Sequence, residues 1–184
     1  NSIQERLKIY SEDKIVCVND IQDGVERFEV RNQFVGIHKH SSLSDYQKVL
    51  PNGLFKRLFI FATIRNPWER MISFYFSPHR GVIKWHRGDF ITLVNQVLTL
   101  PELLCVESEN IDNTWAKNVD FIIKFEQLEI DFKMVCQKLQ LHYEPLDVRN
   151  KSTRLAYKTY YDQELIDLVA HKFEQEIVYG QYAF

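Results

Sequence analysis

The chain has 184 residues, 45% of them hydrophobic, 14% aromatic and 26% charged, with a formal net charge of −2. That much apolar chain suits one domain with a filled core. The near-neutral balance excludes a global positive field of the kind that gathers nucleic acid, so any anion site must be local.

In chain order, Ser2 to Tyr10 reads as a helix, with Ile3, Leu7 and Tyr10 at helical spacing. Lys14 to Asn19 reads as a short strand, and residues 20–35, with an Asp-Gly pair and mixed polarity, as irregular. A short strand is expected over Phe34 to His40. Ser44 to Leu50 reads as a helix stopped by Pro51-Asn52-Gly53. Leu58 to Ile64 is apolar on both faces, which predicts a central parallel strand covered by helices on both sides. Pro67 to Phe76 follows as a helix, with Asn66 as N-cap and proline at the first helical position. Ser77 to Gly88 is a loop rich in His, Arg and Gly. Phe90 to Leu98 reads as a helix, and residues 101–116 are ambiguous. Val119 to Phe125 is a second strand. Leu128 to Leu139 is a helix with Leu128, Phe132, Val135 and Leu139 on one stripe. Arg149 to Thr153 is a polar loop. Gln163 to Val178 reads as one final helix, with Leu165, Val169, Phe173 and Ile177 four apart and Asp162 as cap. Strands alternating with helices imply a single α/β three-layer domain over 1–184 with a mainly parallel sheet.

The junction Thr63-Ile64-Arg65-Asn66-Pro67-Trp68-Glu69-Arg70 carries the functional signal. Parallel sheets bind ligands at the carboxyl ends of their strands, and Arg65 sits at such an end. Asn66, Arg70 and Ser73 share a face of the next helix at i, i+4 and i+7. That helix start adds positive potential and amide donors. Arg65 and Ser73 together suit one phosphate: a planar cationic fork and a hydroxyl. In the alternative, Arg65 pairs with Glu69 and Ser73 is an ordinary helix serine.

Arg-Asn-Pro-Trp-Glu-Arg-Met-Ile-Ser-Phe-Tyr, from Arg65 to Tyr75, resembles the 3′-phosphate motif of sulfotransferases that use 3′-phosphoadenosine 5′-phosphosulfate (PAPS). All its fixed positions are present: Arg65, Asn66, Pro67, Arg70, Ser73 and Tyr75. The resemblance is closest to the carbohydrate-type enzymes, including the heparan 2-O group and related bacterial proteins. Asn150-Lys151-Ser152, Tyr160 to Ile166 and Tyr179 to Phe184 also look like that family. It implies a P-loop-like sulfotransferase fold, PAPS as sulfuryl donor, no metal, and a hydroxyl acceptor on a glycan. It also implies that Arg65, Ser73, Arg70, Asn150, Lys151 and Ser152 hold the nucleotide, with Asn150-Lys151-Ser152 and Arg154 a polar, cationic loop that closes over it; a surface loop with solvated charges is the alternative. The family opens with a strand and a phosphate loop bearing a lysine; here Asn1-Ser2 resembles that loop's last two residues. The chain is therefore expected to lack the first strand and most of the loop, with Asn1 and Ser2 as remnants of the cofactor site. An ordinary N-cap pair is the alternative.

Sulfuryl transfer to a hydroxyl needs a base for the acceptor proton, and neutral histidine suits that role near pH 7. His38 and His40 lie two apart, so an extended segment points both the same way. By resemblance to the heparan 2-O enzymes, His40 is the base and His38 its helper. A solvated histidine pair and half of a metal site remain alternatives. His79, Arg80, Lys84, His86 and Arg87 form a basic cluster that suits an anionic glycan, or is simply a solvated loop. Trp68, Trp85 and Trp115 are candidates for stacking on sugar or adenine, with core packing expected for at least two.

Two further functions stay open: a kinase-like P-loop enzyme, for which Asp120 stands at the wrong end of its strand, and a noncatalytic sulfotransferase-like scaffold. No apolar run approaches the ~18–20 residues of a membrane span. Cys17, Cys105 and Cys136 are scattered and odd in number, without metal spacing or a disulfide framework. They read as buried thiols and favour a reducing compartment. The cytoplasm is the expected location, with the Golgi lumen as the alternative.

Overall fold

A computed structural model describes residues 2–7, 14–22, 25–31, 37, 41–106, 115–147 and 154–184; for 4, 5, 14–22, 25–31 and 79 it describes the backbone alone. The helices are α1 (Ser2–Leu7), α2 (Leu43–Val49), α3 (Asn52–Phe55), α4 (Pro67–Tyr75), α5 (Arg87–Gln96), α6 (Leu100–Leu104), α7 (Leu128–Lys138), α8 (Gln163–Lys172) and α9 (Glu174–Gly180). The strands are β1 (Lys14–Gln22), β2 (Val25–Arg31), β3 (Phe61–Ile64) and β4 (Phe121–Lys124). The architecture is α/β: β3 and β4 form a small parallel pair, and β1 and β2 a separate antiparallel hairpin.

Parallel pairing needs a long crossover, and here α4, α5 and α6 supply it. Phe61 lies opposite Phe121 and Ile64 opposite Lys124. Asp120 fixes the entry to this pair. Its amide donates to the Ile60 carbonyl at 2.7 Å, and its carboxylate accepts the Ile60 amide at 2.7 Å. Strand alternation then sends side chains two ways. Phe61, Phe121 and Ile123 pack with Phe132, Val135 and Cys136 of α7 and with Ile3 and Leu7 of α1. Ile64 and Ile122 pack with Leu100 of α6 and with Trp115. A larger cluster joins α4 to α5 and α8 through Trp68, Met71, Ile72, Phe90, Val94, Leu165, Val169 and Phe173.

Local signals set the helix starts. Asn66 accepts the Glu69 amide at 3.2 Å at the head of α4, with Pro67 at the first helical position. Asp162 accepts the Leu165 amide at 2.9 Å for α8. Ser42 and Asp45 form a reciprocal capping box before α2, as do Thr99 and Glu102 before α6.

Several expectations need correction. Of residues 20–35, the described ones are not irregular: β1 runs on to Gln22, and Val25–Arg31 form β2. Its Val-Glu-Arg-Phe-Glu-Val-Arg stretch alternates charged and apolar residues from Arg27 to Arg31, with Val25 out of phase. The α2 helix does stop before Pro51, as expected, but a separate short helix, α3, starts directly after it. The final helix is two helices divided at Phe173, whose φ of −114° and ψ of 27° leave the helical region. β3 is shorter than the apolar run and only partly covered: Ile64 is fully buried, but Thr63 is exposed. The strand expected over Phe34 to His40 lies outside the described residues except for Ile37, which is buried and in no strand. Of the cysteines, Cys136 is buried and Cys105 half-buried; the side chain of Cys17 is outside the description.

Candidate functional site

The strand register builds the site. Ile64 and Lys124 are opposite one another at the ends of β3 and β4, so the next residues, Arg65 and Phe125, land side by side. The Arg65 guanidinium lies over the Phe125 ring, 4.1 Å from its centroid. Such a stack contributes roughly 0.5–1 kcal/mol where the ring is partly exposed, and it fixes the plane of the cation. Nη1 of Arg65 faces the Ser73 hydroxyl at 3.4 Å. Nη2 pairs with Glu69 at 2.8 Å. Nε is buried and has no hydrogen-bond partner among the described residues.

The junction thus holds both of its sequence readings at once. Arg65 and Ser73 come together across two helical turns, and the Arg65–Glu69 ion pair is also formed. The same Glu69 oxygen meets Nη2 of Arg154 at 3.4 Å. One carboxylate oxygen therefore bridges two arginines, whose side chains are 18% and 13% exposed. Arg154 lies 85 residues from Glu69 along the chain. Burial, and after it the charge of Glu69, raises the nearby Tyr157 phenol above its usual range.

The rest of the motif serves the fold. The Arg70 guanidinium makes bonds of 2.5 Å and 3.2 Å to Glu176, a carboxylate with no exposed surface. Glu176 also accepts the Leu100 amide at 2.9 Å, and Arg70 lies 4.7 Å from the Phe173 centroid. Arg70 thus joins α4, α6 and α9 through Glu176. Tyr75 is buried, and its hydroxyl accepts the His86 amide at 3.0 Å. The amide donors expected at the start of α4 are largely in use. Pro67 has none, the Glu69 amide goes to Asn66, and the Asn66 amide goes to Glu126 at 2.9 Å.

The C-terminal residues close over this edge. Asn66 donates from Nδ2 to the Ala183 carbonyl at 3.0 Å, Tyr182 donates to Glu126 at 3.0 Å, and Lys124 donates to the Gly180 carbonyl at 3.2 Å. Gly180 is required here: a Cβ would stand 2.1 Å from the Tyr182 ring.

Of the other expected site residues, Ser2 donates to the Asp147 carbonyl at 2.6 Å and makes no hydrogen bond with Arg65. Asn1, His38, His40, Asn150, Lys151 and Ser152 lie outside the described residues. In the basic cluster, Arg87 pairs with Asp162 at 2.9 Å and with Glu164, and Arg80 lies 5.4 Å from the Phe74 centroid. Trp68 and Trp115 are core residues, and Trp85 packs on Phe90 and Tyr160. Among the described residues no group of three His, Cys, Asp or Glu side chains is placed to hold a metal, and no helix is long and apolar enough to cross a membrane. A cavity of about 130 Å³, lined by Thr99, Pro101, Lys172 and Gln175 among others, is bordered by neither Arg65 nor Ser73.

The chain matches no protein-family model, no curated protein and no solved structure.

Sequence reasoning missed Phe125, which follows from strand register, visible once β3 and β4 are aligned end to end; Arg154, expected in the cationic segment near the nucleotide, does reach Glu69, though no local signal names that partner.

Proposed function

We propose that the chain is a PAPS-dependent sulfotransferase domain of three-layer, P-loop-like architecture. It would move a sulfuryl group to a hydroxyl of an acceptor, with a carbohydrate as the acceptor class. The observation that carries the reading is the pairing of Arg65 with Ser73 at the carboxyl end of a parallel strand. The buried, unpartnered Nε of Arg65 fits a ligand oxygen, because a buried donor without an acceptor is costly. A guanidinium held flat on Phe125 presents a fixed fork to the nucleotide's 3′-phosphate. In the transfer, the sulfur–oxygen bond to the 5′-phosphate breaks and one to the acceptor oxygen forms. The acceptor proton passes to a base, His40 by resemblance, with His38 beside it. Asn1, Ser2 and the 150–152 segment take the remaining nucleotide contacts in this reading.

The Arg65–Glu69 ion pair favours a second reading, a noncatalytic scaffold in which the guanidinium's charge is used internally. Titrating 3′-phosphoadenosine 5′-phosphate calorimetrically into the full-length protein separates the two. Saturable binding that Arg65→Ala weakens by at least about tenfold, ~1.4 kcal/mol, supports the enzyme. Affinity unchanged by Arg65→Ala refutes the proposed site.

A further inference from the structure

Glu69 stands where the proposed function needs an anion. Its Oε1 lies 2.8 Å from Nη2 of Arg65 and 3.4 Å from Nη2 of Arg154. Two guanidiniums converging on one oxygen is the arrangement a phosphate oxygen takes between two arginines. Glu69 is not fixed by burial, since its side chain is 33% exposed. Its amide is held by the Asn66 cap, so the backbone stays in place if the carboxylate leaves. The cluster's formal charge is +1 with the carboxylate present. Two of its contacts are at 3.4 Å, Arg65 to Ser73 and Arg154 to Glu69, near the limit of a hydrogen bond.

We infer that Glu69 is an internal stand-in for the ligand's phosphate. It holds Arg65 and Arg154 in position when no ligand is bound, and it competes with the incoming anion for them. The inference rests on the nucleotide-binding reading above. Glu69 also raises the charge that a ligand needs to take the two arginines. A monoanion exchanges one negative charge for another, whereas a phosphate dianion gains from both cations and the Ser73 hydroxyl. The site therefore selects a terminal phosphate monoester over a singly charged phosphate diester or sulfate ester.

The test is calorimetric titration of 3′-phosphoadenosine 5′-phosphate, inorganic phosphate and methyl sulfate, a monoanion, into the full-length protein and its Glu69→Gln and Glu69→Ala variants. A unit charge removed about 5 Å from a dianion in a solvated setting gives about tenfold tighter binding. Both variants are expected to bind the nucleotide and inorganic phosphate about tenfold more tightly, and methyl sulfate, with less charge, by a smaller factor of about three. Equal or weaker nucleotide binding in both variants overturns the inference and makes Glu69 a positioning residue for Arg65. If Arg65→Ala leaves affinity unchanged, the nucleotide site itself is refuted, which is a separate result. Arg65→Ala impaired with Glu69→Gln neutral leaves the site standing and removes Glu69 from this role.

Discussion

Replacing Arg70 with methionine tests how the Arg65 motif divides its work. Glu176 has no exposed surface and takes three hydrogen bonds: two from Arg70, at 2.5 Å and 3.2 Å, and one from the Leu100 amide at 2.9 Å. Arg70→Met removes two of these donors and the countercharge, leaving a buried carboxylate with a single amide. Breaking a buried pair in this way costs about 3–5 kcal/mol. Loss of the stack on Phe173 adds roughly 0.5–1 kcal/mol. Against a typical domain stability of about 5–15 kcal/mol, that is a large fraction. Urea unfolding followed by tryptophan fluorescence reads it. A midpoint lower by about 2 M at unchanged slope is expected, given a slope of ~1–3 kcal/mol per M. The double variant Arg70→Met with Glu176→Leu removes both charges and leaves only the Leu100 amide unpaired. It should recover all but about 1–3 kcal/mol. Arg70→Met within about 1 kcal/mol of wild type would refute the assignment. A loss of nucleotide affinity without that instability would return Arg70 to the anion site.

Burial pushes the Glu102 carboxyl up, but the Thr99 amide and hydroxyl, with Lys172, outweigh it and hold the group below its ordinary value. A depressed folded value stabilises the fold above the unfolded pKa of ~4.3 and loses that contribution as pH falls through the folded value. Melting temperatures of wild type and Glu102→Gln should therefore differ at pH 6 and converge toward pH 3; a gap independent of pH counts against the capping-box charge. His40→Ala should lower sulfuryl transfer by roughly 10²–10⁴-fold while leaving nucleotide affinity nearly intact, and full turnover would remove His40 from the role of base.

What the sequence disclosed and what it hid follow from the range of the interactions involved. Caps are local, so Asn66, Pro67 and Asp162 mark the starts of α4 and α8 correctly. Stripes are local too, and Phe132 and Val135 of α7 are buried where their spacing puts them. The break at Phe173 escaped because Leu165, Val169, Phe173 and Ile177 keep an apolar period of four straight through it, with no glycine or proline to mark a stop. The β2 strand escaped because Val25 is out of phase with Phe28 and Val30, which leaves only a short alternation. At the site, Arg65 and Ser73 were visible as a spacing within one helix. Arg154 meets Glu69 only through tertiary structure, and Phe125 lies beneath Arg65 only because two strands pair in one register. For Arg70, helical spacing shows which way a side chain leaves, not the buried carboxylate of Glu176 that it meets.

The fold-back at Gly180 gives distant positions leverage over the head of α4. Tyr182 is seated against the bare Cα of Gly180, and through Glu126 and the neighbouring Ala183 carbonyl that seating reaches both the amide and the side chain of Asn66. A single methyl group added at Gly180 would unseat the ring, and the disturbance would surface more than a hundred residues upstream, beside Arg65.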